Sequence, residues 1–197
     1  MLTTDRLTIR LVEAEDWAAM REIWLGFSRS PYAQYDRPHA TDPADVRARI
    51  ARWADVTRQG TAHMFFAVCL ADAVIGYIAF NQREDGHEVG YCFHAAHHGR
   101  GYAGEALRAL LAHLAGKGFT RFSAGTALNN TPSVRLLESL GFRLTATERV
   151  SFYRDEQGRD VFFDGGVFAL EYPAAADASR LGKGVPGGMS ARQGERP

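Results

Sequence analysis

This chain has few cysteines, no net charge and no long apolar run. Its 197 residues include two cysteines, Cys69 and Cys92, so a disulfide framework is not indicated and both are expected to be core thiols. The 23 basic residues balance the 23 acidic ones, so charge gives no basis for binding nucleic acid or an anionic membrane. No apolar run approaches the ~18 residues that a membrane span needs.

The N-terminal segment lacks a signal-peptide stretch, and the C-terminal segment lacks large apolar side chains. The first twenty residues carry four carboxylates and have no apolar stretch of the kind found in a secretory signal peptide, so a cytoplasmic location is expected. Residues 173–197 include three prolines and five glycines but few sizeable apolar side chains. Such a segment cannot bury enough surface to offset its ordering entropy. We therefore expect one domain at residues 1–172 and a disordered tail at residues 173–197.

Apolar periodicity between these ends predicts an α+β fold. We expect a mixed, mostly antiparallel central sheet of about seven strands, flanked by about four helices. The predicted strands are at residues 2–12, 62–70, 73–80, 87–93, 120–126, 142–153 and 159–171. The predicted helices are at residues 14–27, 43–59, 103–115 and 131–140.

The chemistry is concentrated between the strand at residues 87–93 and the helix that follows it. The connecting loop is rich in glycine, and glycines let a backbone approach a ligand closely. The first turn of a helix also leaves N–H groups unpaired at the positive end of the helix dipole. Together these features predict a phosphate or pyrophosphate site. Its residues would be Gly99, Arg100, Gly101, Tyr102, Ala103 and Gly104. The plainer interpretation is a turn that only changes the direction of the chain.

Two ligand classes fit such a loop. Gly99 to Gly104 matches G-x-G-x-x-G, which favours a dinucleotide when an acidic residue follows about 20 residues later. The segment from Phe119 to Leu128 contains no Asp or Glu, and the loop follows a run of strands instead of opening a βαβ unit. The second class is acyl-coenzyme A.

Two ordered sequence blocks resemble the GNAT superfamily of N-acetyltransferases. The segment His98–Ala103 is similar to the superfamily's pyrophosphate loop, Gln/Arg-x-x-Gly-x-Gly/Ala, with Gly101 and Ala103 matching. The segment Asn130–Phe142 is similar to Asn-x-x-Ser-x-Arg-x-Leu-Glu-x-x-Gly-Phe of the ribosomal-protein N-terminal acetyltransferase branch. The opening Arg6–Leu11 is also similar to that branch, so the resemblance covers roughly residues 2 to 172.

The resemblance implies an acetyl-coenzyme A-dependent transfer of an acetyl group to a primary amine. It implies a sheet that splays apart where the cofactor enters, with Glu88 as general base and Ser133 assisting the departing thiolate. The implied cofactor contacts, besides the loop, are Cys92, Phe93, His94, Asn130 and Ser133. His87 is a rival base, because its ordinary pKa of ~6.5 suits the task better than the ~4.3 of a glutamate. His87 is nevertheless expected on the other face of the strand.

Other interpretations stay open at this stage. Many relatives have a tyrosine where this chain has Leu137, which motivates an acyl-coenzyme A-binding module without chemistry. A nicotinamide-dependent oxidoreductase is a third choice.

The expected acceptor is a protein N-terminus or a small amine, and Tyr32 and Tyr35 are expected to line its pocket. The histidines near the loop lack the spacing of a metal site, so no metal is expected. The sequence leaves monomer and homodimer open.

Overall fold

A computed structural model describes residues 1–172, which form one eight-stranded sheet between two pairs of helices. The strands are β1 (Leu2–Thr3), β2 (Leu7–Leu11), β3 (His63–Leu70), β4 (Ala73–Arg83), β5 (Gly86–Phe93), β6 (Arg121–Ala127), β7 (Arg143–Arg154) and β8 (Asp160–Glu171). The helices are α1 (Trp17–Ser28), α2 (Pro43–Gln59), α3 (Tyr102–Ala115) and α4 (Thr131–Ser139). The predicted α+β class is confirmed, whereas the predicted disordered tail lies outside the described residues.

The sheet order is β1-β2-β3-β4-β5-β6-β8-β7, and every neighbouring pair is antiparallel except β5 and β6. One strand more than expected is present, because the predicted strand at residues 2–12 divides into β1 and β2. The Thr4 N–H donates to the Leu7 carbonyl (2.9 Å), and the Thr4 hydroxyl accepts from the Leu7 N–H (3.0 Å). These bonds close a tight turn that folds β1 back onto β2.

The two faces of the sheet carry separate apolar clusters, as the helix periodicity requires. On one face, α3 and α4 bury Leu107, Leu110 and Leu137 against the strands. On the other face, α1 and α2 bury Trp24 and Ile50. Within residues 1–172, no helix is both long enough and apolar enough to cross a membrane.

Candidate active site

The sheet opens into a wedge between β5 and β6. These parallel strands pair at only two positions, His87 with Phe122 and Glu88 with Ser123. β6 instead pairs with β8 along its whole length, while β5 stays paired with β4. Beyond Glu88, therefore, the edge of β5 that faces β6 has no strand partner. The splayed sheet that the family resemblance implied is therefore present, with its opening between β5 and β6.

Backbone groups of alternate residues point into this wedge. The His94 N–H donates to the Ile75 carbonyl of the β4 side (2.8 Å), so in an antiparallel ladder the Cys92 backbone also faces β4. The N–H groups of Tyr91 and Phe93 consequently face the wedge. Of the three strand-end residues predicted to contact the cofactor, only Phe93 presents its N–H to the open edge. The roles of Cys92 and His94 stay predictions, but their N–H groups are not free donors.

The glycine-rich loop lies directly after the open end of β5. His98 Nε2 contacts the Phe93 carbonyl (2.8 Å), and this contact holds the loop against the end of β5. Gly99 and Gly101 have φ angles of 72° and 80°, a left-handed conformation that only glycine adopts at little cost. Within residues 1–172, no acceptor outside α3 is recorded for the N–H groups of residues 99–104. Six backbone N–H groups without a recorded acceptor thus stand at the start of a 14-residue helix, the arrangement that an anion site uses.

The turn between β1 and β2 holds the first turn of α3 in place. The sequence did not predict this contact. Arg6 pairs with Glu105 through Nε (2.7 Å) and Nη2 (2.5 Å), and Arg6 Nη1 donates to the Arg100 carbonyl (3.0 Å). The Thr4 hydroxyl donates to the same carboxylate (2.5 Å), and the Arg6 guanidinium lies 4.6 Å from the centre of the Tyr102 ring. Partial burial acts against ionisation of Glu105, but the hydrogen bonds from Thr4 and Arg6 prevail and lower its pKa.

Glu88 stands at the inner end of the wedge, in the last residue pair before β5 and β6 part. Val89 belongs to the cluster beneath α3, so Glu88 faces the opposite side of the sheet, together with Cys92, as predicted. Its carboxylate pairs with Arg83, and the side chain is 39% exposed.

His87, the rival base, points away from Glu88. Its ring lies 5.0 Å from that of Phe119, and its Nε2 contacts the Thr61 carbonyl (3.3 Å). The alternation of strand side chains thus keeps it on the α3 face, as expected from the sequence.

The start of α4 brings two polar side chains, Asn130 and Ser133, to the outer part of the wedge. Asn130 caps the helix, because its Oδ1 accepts from the Ser133 N–H (3.4 Å). The Ser133 hydroxyl does not cap its own helix but forms a hydrogen bond with the Tyr91 hydroxyl of β5 (2.8 Å). Burial raises the pKa of Tyr91 to about 12, although its bond with Ser133 acts in the other direction. Nothing in the sequence pattern around Tyr91 indicates this contact.

A cavity of about 520 Å³ adjoins the C-terminal end of β6, next to Asn130. It is lined by Gln34, Tyr35, Leu128, Asn129, Val161, Phe162, Phe163 and Asp164. The ring centres of Tyr35 and Phe163 are 5.3 Å apart. Of the two tyrosines predicted for an acceptor pocket, Tyr35 lines this cavity and Tyr32 does not.

Both cysteines are free, and Cys69 is buried as expected of a core thiol. Cys92 lies on the face of β5 opposite Tyr91, where burial, together with the negative charge of Asp36, raises the pKa of its thiol to about 12. The thiol therefore stays protonated at neutral pH and is a poor nucleophile.

Comparison with known proteins agrees with this geometry. The family model described as acetyltransferase (GNAT) domain matches residues 6–143, from the Arg6 turn past the end of α4. The chain belongs to this family. A relative, the uncharacterized N-acetyltransferase p20 of Bacillus licheniformis, is 34% identical over 179 residues, which cover 86% of this chain and 94% of the relative. The GNAT membership expected from the two sequence blocks is confirmed, and the protein is an N-acetyltransferase by family.

Solved GNAT structures have the same fold. The yncA structure from Salmonella typhimurium, solved with its cofactor acetyl-CoA, is 25% identical and has a TM-score of 0.64, covering 85% of this chain and 94% of that one. The Salmonella typhimurium acetyltransferase that modifies the N-terminal serine of ribosomal protein L7/L12 is 18% identical and has a TM-score of 0.73. That match covers 86% of this chain and 97% of the other, and at this identity it shows the fold alone.

Proposed function

We propose that this GNAT enzyme transfers the acetyl group of acetyl-coenzyme A directly to a primary amine. The supporting observation is the open edge of β5, which leads from Glu88 to the unpaired N–H groups of residues 99–104. An amide-containing arm with a pyrophosphate at one end matches this row of backbone groups followed by an anion site. The yncA relative, solved with acetyl-CoA, supports the same cofactor.

The proposed cofactor contacts follow from these positions. The pyrophosphate would contact the backbone of Gly99, Arg100, Gly101, Tyr102, Ala103 and Gly104. The arm would lie along the strand end at Cys92, Phe93 and His94 and accept a hydrogen bond from the Phe93 N–H, which faces the open edge. The amide of Asn130 would reach the arm from the α4 side. Because the Asn130 oxygen already caps α4, its NH₂ group is the part available for this contact.

Glu88 would act as the general base. At neutral pH a primary amine is mostly protonated, since its pKa lies near ~8 at a chain terminus and ~10.4 on a lysine. Glu88 accepts this proton, directly or through a water, and the amine then attacks the thioester carbonyl carbon. The Phe93 N–H donates to the carbonyl oxygen as negative charge develops there, and the Ser133 hydroxyl donates to the departing sulfur. The C–N bond forms as the C–S bond breaks, the attacking nitrogen then loses a second proton to solvent, and the thiolate takes up a proton from solvent.

The state of Cys92 supports direct transfer over an acyl-enzyme route. A nucleophilic cysteine needs a thiolate, whereas the raised pKa of Cys92 keeps it as a thiol. Transfer in a ternary complex of enzyme, acetyl-coenzyme A and amine needs no cysteine.

The cavity beside Asn130 is the proposed acceptor site. Its aromatic walls, including Tyr35 and Phe163, favour an amine that carries an apolar or aromatic group, and the Asp164 carboxylate would attract the ammonium form. A small molecule and the first residues of a protein both have this chemistry.

Acetyl transfer to a panel of primary amines, followed by release of the coenzyme A thiol, tests the proposal. We expect Glu88→Gln to lower kcat by about 10²- to 10⁴-fold while acetyl-coenzyme A still binds. Glu84→Gln is the matched control, because Glu84 is an exposed carboxylate in the turn before β5. Acetyl-coenzyme A binding by the wild type without turnover of any amine would favour the non-catalytic module.

A further inference from the structure

We infer that Tyr91 is a positioning residue that acts through Ser133, so that their two hydroxyls together present one O–H donor to the sulfur of coenzyme A. The inference rests on the proposed function and adds a residue to it. It starts from an observation that neither the sequence blocks nor the family match assigns, a hydrogen bond across the open wedge.

The contact joins β5 to the first turn of α4. Tyr91 belongs to the part of β5 beyond Glu88, where β6 has left the strand. Its ring packs with the apolar cluster beneath α3 and α4, so the phenol oxygen is carried toward the first turn of α4. There it meets the Ser133 hydroxyl at 2.8 Å, the one hydrogen bond recorded between β5 and α4 within residues 1–172.

Within residues 1–172, no hydrogen bond is recorded between the Ser133 hydroxyl and its own helix. A serine in the first turn of a helix often bonds its own backbone, which would turn the hydroxyl away from the wedge. Here the Asn130 side chain caps the Ser133 N–H instead. The Ser133 hydroxyl is therefore oriented by Tyr91 and not by the helix.

The pair of hydroxyls has one O–H proton that is not used in the bond between them. Each hydroxyl carries a single O–H, and one of the two is used in the bond between them. When Tyr91 donates to Ser133, the Ser133 proton is left free. The pair then offers one directed donor in the wedge, where the proposed arm of coenzyme A ends. A lone serine hydroxyl would instead rotate among several orientations.

The pair would act by hydrogen bonding and not by giving up a proton. A phenol with a pKa of about 12 holds its proton more tightly than a thiol with an ordinary pKa of ~8.5. Tyr91 therefore stays protonated while a thiolate forms nearby. A donor at the sulfur favours the charged form of the leaving group, and the thiolate takes its proton later from solvent.

Calorimetric titration with coenzyme A and with desulfo-coenzyme A, in which hydrogen replaces the thiol, tests this inference. We expect the wild type to bind coenzyme A about tenfold more tightly than the desulfo form, the size of one hydrogen bond to a charged group. Tyr91→Phe and Ser133→Ala should each remove most of this preference while leaving the affinity for desulfo-coenzyme A unchanged. The double variant should lose no more than either single variant, since the two hydroxyls act as one unit.

The pH dependence gives a readout that a merely structural role would not change. A donor at the sulfur lowers the pKa of the bound thiol, so wild-type affinity for coenzyme A should rise as the pH approaches ~8.5. This rise should be absent in Tyr91→Phe. Tyr172→Phe is the matched control, because it removes a phenol hydroxyl for which no hydrogen bond is recorded, and it should retain both the preference and the pH dependence.

Three results would overturn the inference. Equal wild-type affinity for the two ligands would show that nothing recognises the sulfur. Loss of the preference in Ser133→Ala but not in Tyr91→Phe would show that the serine acts without the tyrosine. Both results leave the proposed acetyl transfer standing, whereas failure of the wild type to bind any coenzyme A form removes the proposed function as well.

Discussion

Some side chains at this site have an observed structural role and a proposed chemical one. Asn130 is the clearest case, because its carbonyl oxygen caps α4 while its amide NH₂ is the group proposed to reach the cofactor arm. The sequence motif alone cannot separate these roles, since both require the same residue at the same position. The structure separates them by showing which atom is already bonded.

A pair of substitutions at Asn130 should resolve the two roles. Asn130→Ala removes the cap and the amide, and we expect about 1 kcal/mol less free energy of unfolding. Asn130→Ser keeps a capping oxygen and removes only the amide, so its stability should stay near that of the wild type. If the amide contacts the arm, both variants should bind acetyl-coenzyme A about two- to tenfold more weakly. Urea unfolding and calorimetric titration measure the two effects, and a weaker affinity in Asn130→Ala alone would assign Asn130 to capping.

Among the elements, the position of α3 depends on contacts with a distant part of the chain. Arg6 and Thr4, in the turn between β1 and β2, fix the carboxylate of Glu105 in the first turn of α3. Arg6 also bonds the Arg100 carbonyl within the anion loop. The proposed anion site is thus shaped by the turn between β1 and β2 as well as by its own glycines.

This contact should make stability depend on pH below about 5. The pKa of Glu105 is lowered in the folded state from its ordinary 4.5, so its contribution is complete above 4.5 and is lost as the pH falls through the folded value. Glu105→Gln should therefore lose about 1 kcal/mol less than the wild type between pH 6 and pH 3.5. Urea unfolding at the two pH values measures this difference. Glu138→Gln, at an exposed position of α4, should follow the wild type, and parallel curves for Glu105→Gln would refute the prediction.

The loop before α3 needs glycine for its backbone conformation, not only for the approach of a ligand. Gly101 has a φ of 80°, so Gly101→Ala should reduce the free energy of unfolding by about 1 to 2 kcal/mol. Gly26 lies within α1, with no atom within 4 Å of an added Cβ, so Gly26→Ala should increase stability by about 0.5 to 1 kcal/mol. Denaturant unfolding compares the same added methyl group in two places. Equal effects would mean that the loop conformation has no energetic preference for glycine.

On the scale of the whole molecule, the wedge is the gap that remains where β6 leaves β5 and pairs with β8. β6 pairs fully with β8 and only briefly with β5, so the sheet remains continuous through two residue pairs while its outer part is open. A ligand that occupies this gap and the adjoining loop would contact both halves of the sheet. Its binding should therefore stabilise the protein as a whole.

Thermal unfolding with acetyl-coenzyme A, coenzyme A or NADH checks this expectation. Ligand at ~100 times its dissociation constant adds about 2.7 kcal/mol, a rise in Tm of roughly 5 to 10 °C for a domain of this size. We expect the rise with both coenzyme A forms and none with NADH. Residues 1–172 alone should give the same rise, because the described sheet is complete by Glu171. A rise with NADH alone would revive the dinucleotide interpretation of the glycine loop.

Local signals made much of this protein predictable from its sequence. Apolar periodicity indicated four helices and most strands, because burial of one face is encoded within each element. The spacing of Gly101, Ala103, Asn130 and Ser133 indicated the family, because the anion loop and the start of α4 are each short continuous segments. The division of residues 2–12 into two strands was missed, since a strand and a tight turn differ there only by the hydrogen bonds of Thr4.

The sequence by itself determined the fold class, the family and the positions of Glu88 and the anion loop along the chain. Only the tertiary structure decided which groups meet across it. Arg6 reaches Glu105 across 99 positions, and Tyr91 reaches Ser133 across 42. Tyr35 meets Phe163 only where the α1–α2 connection lies over β8. Such contacts depend on how whole elements pack, and no periodicity within one element records the side chains of another.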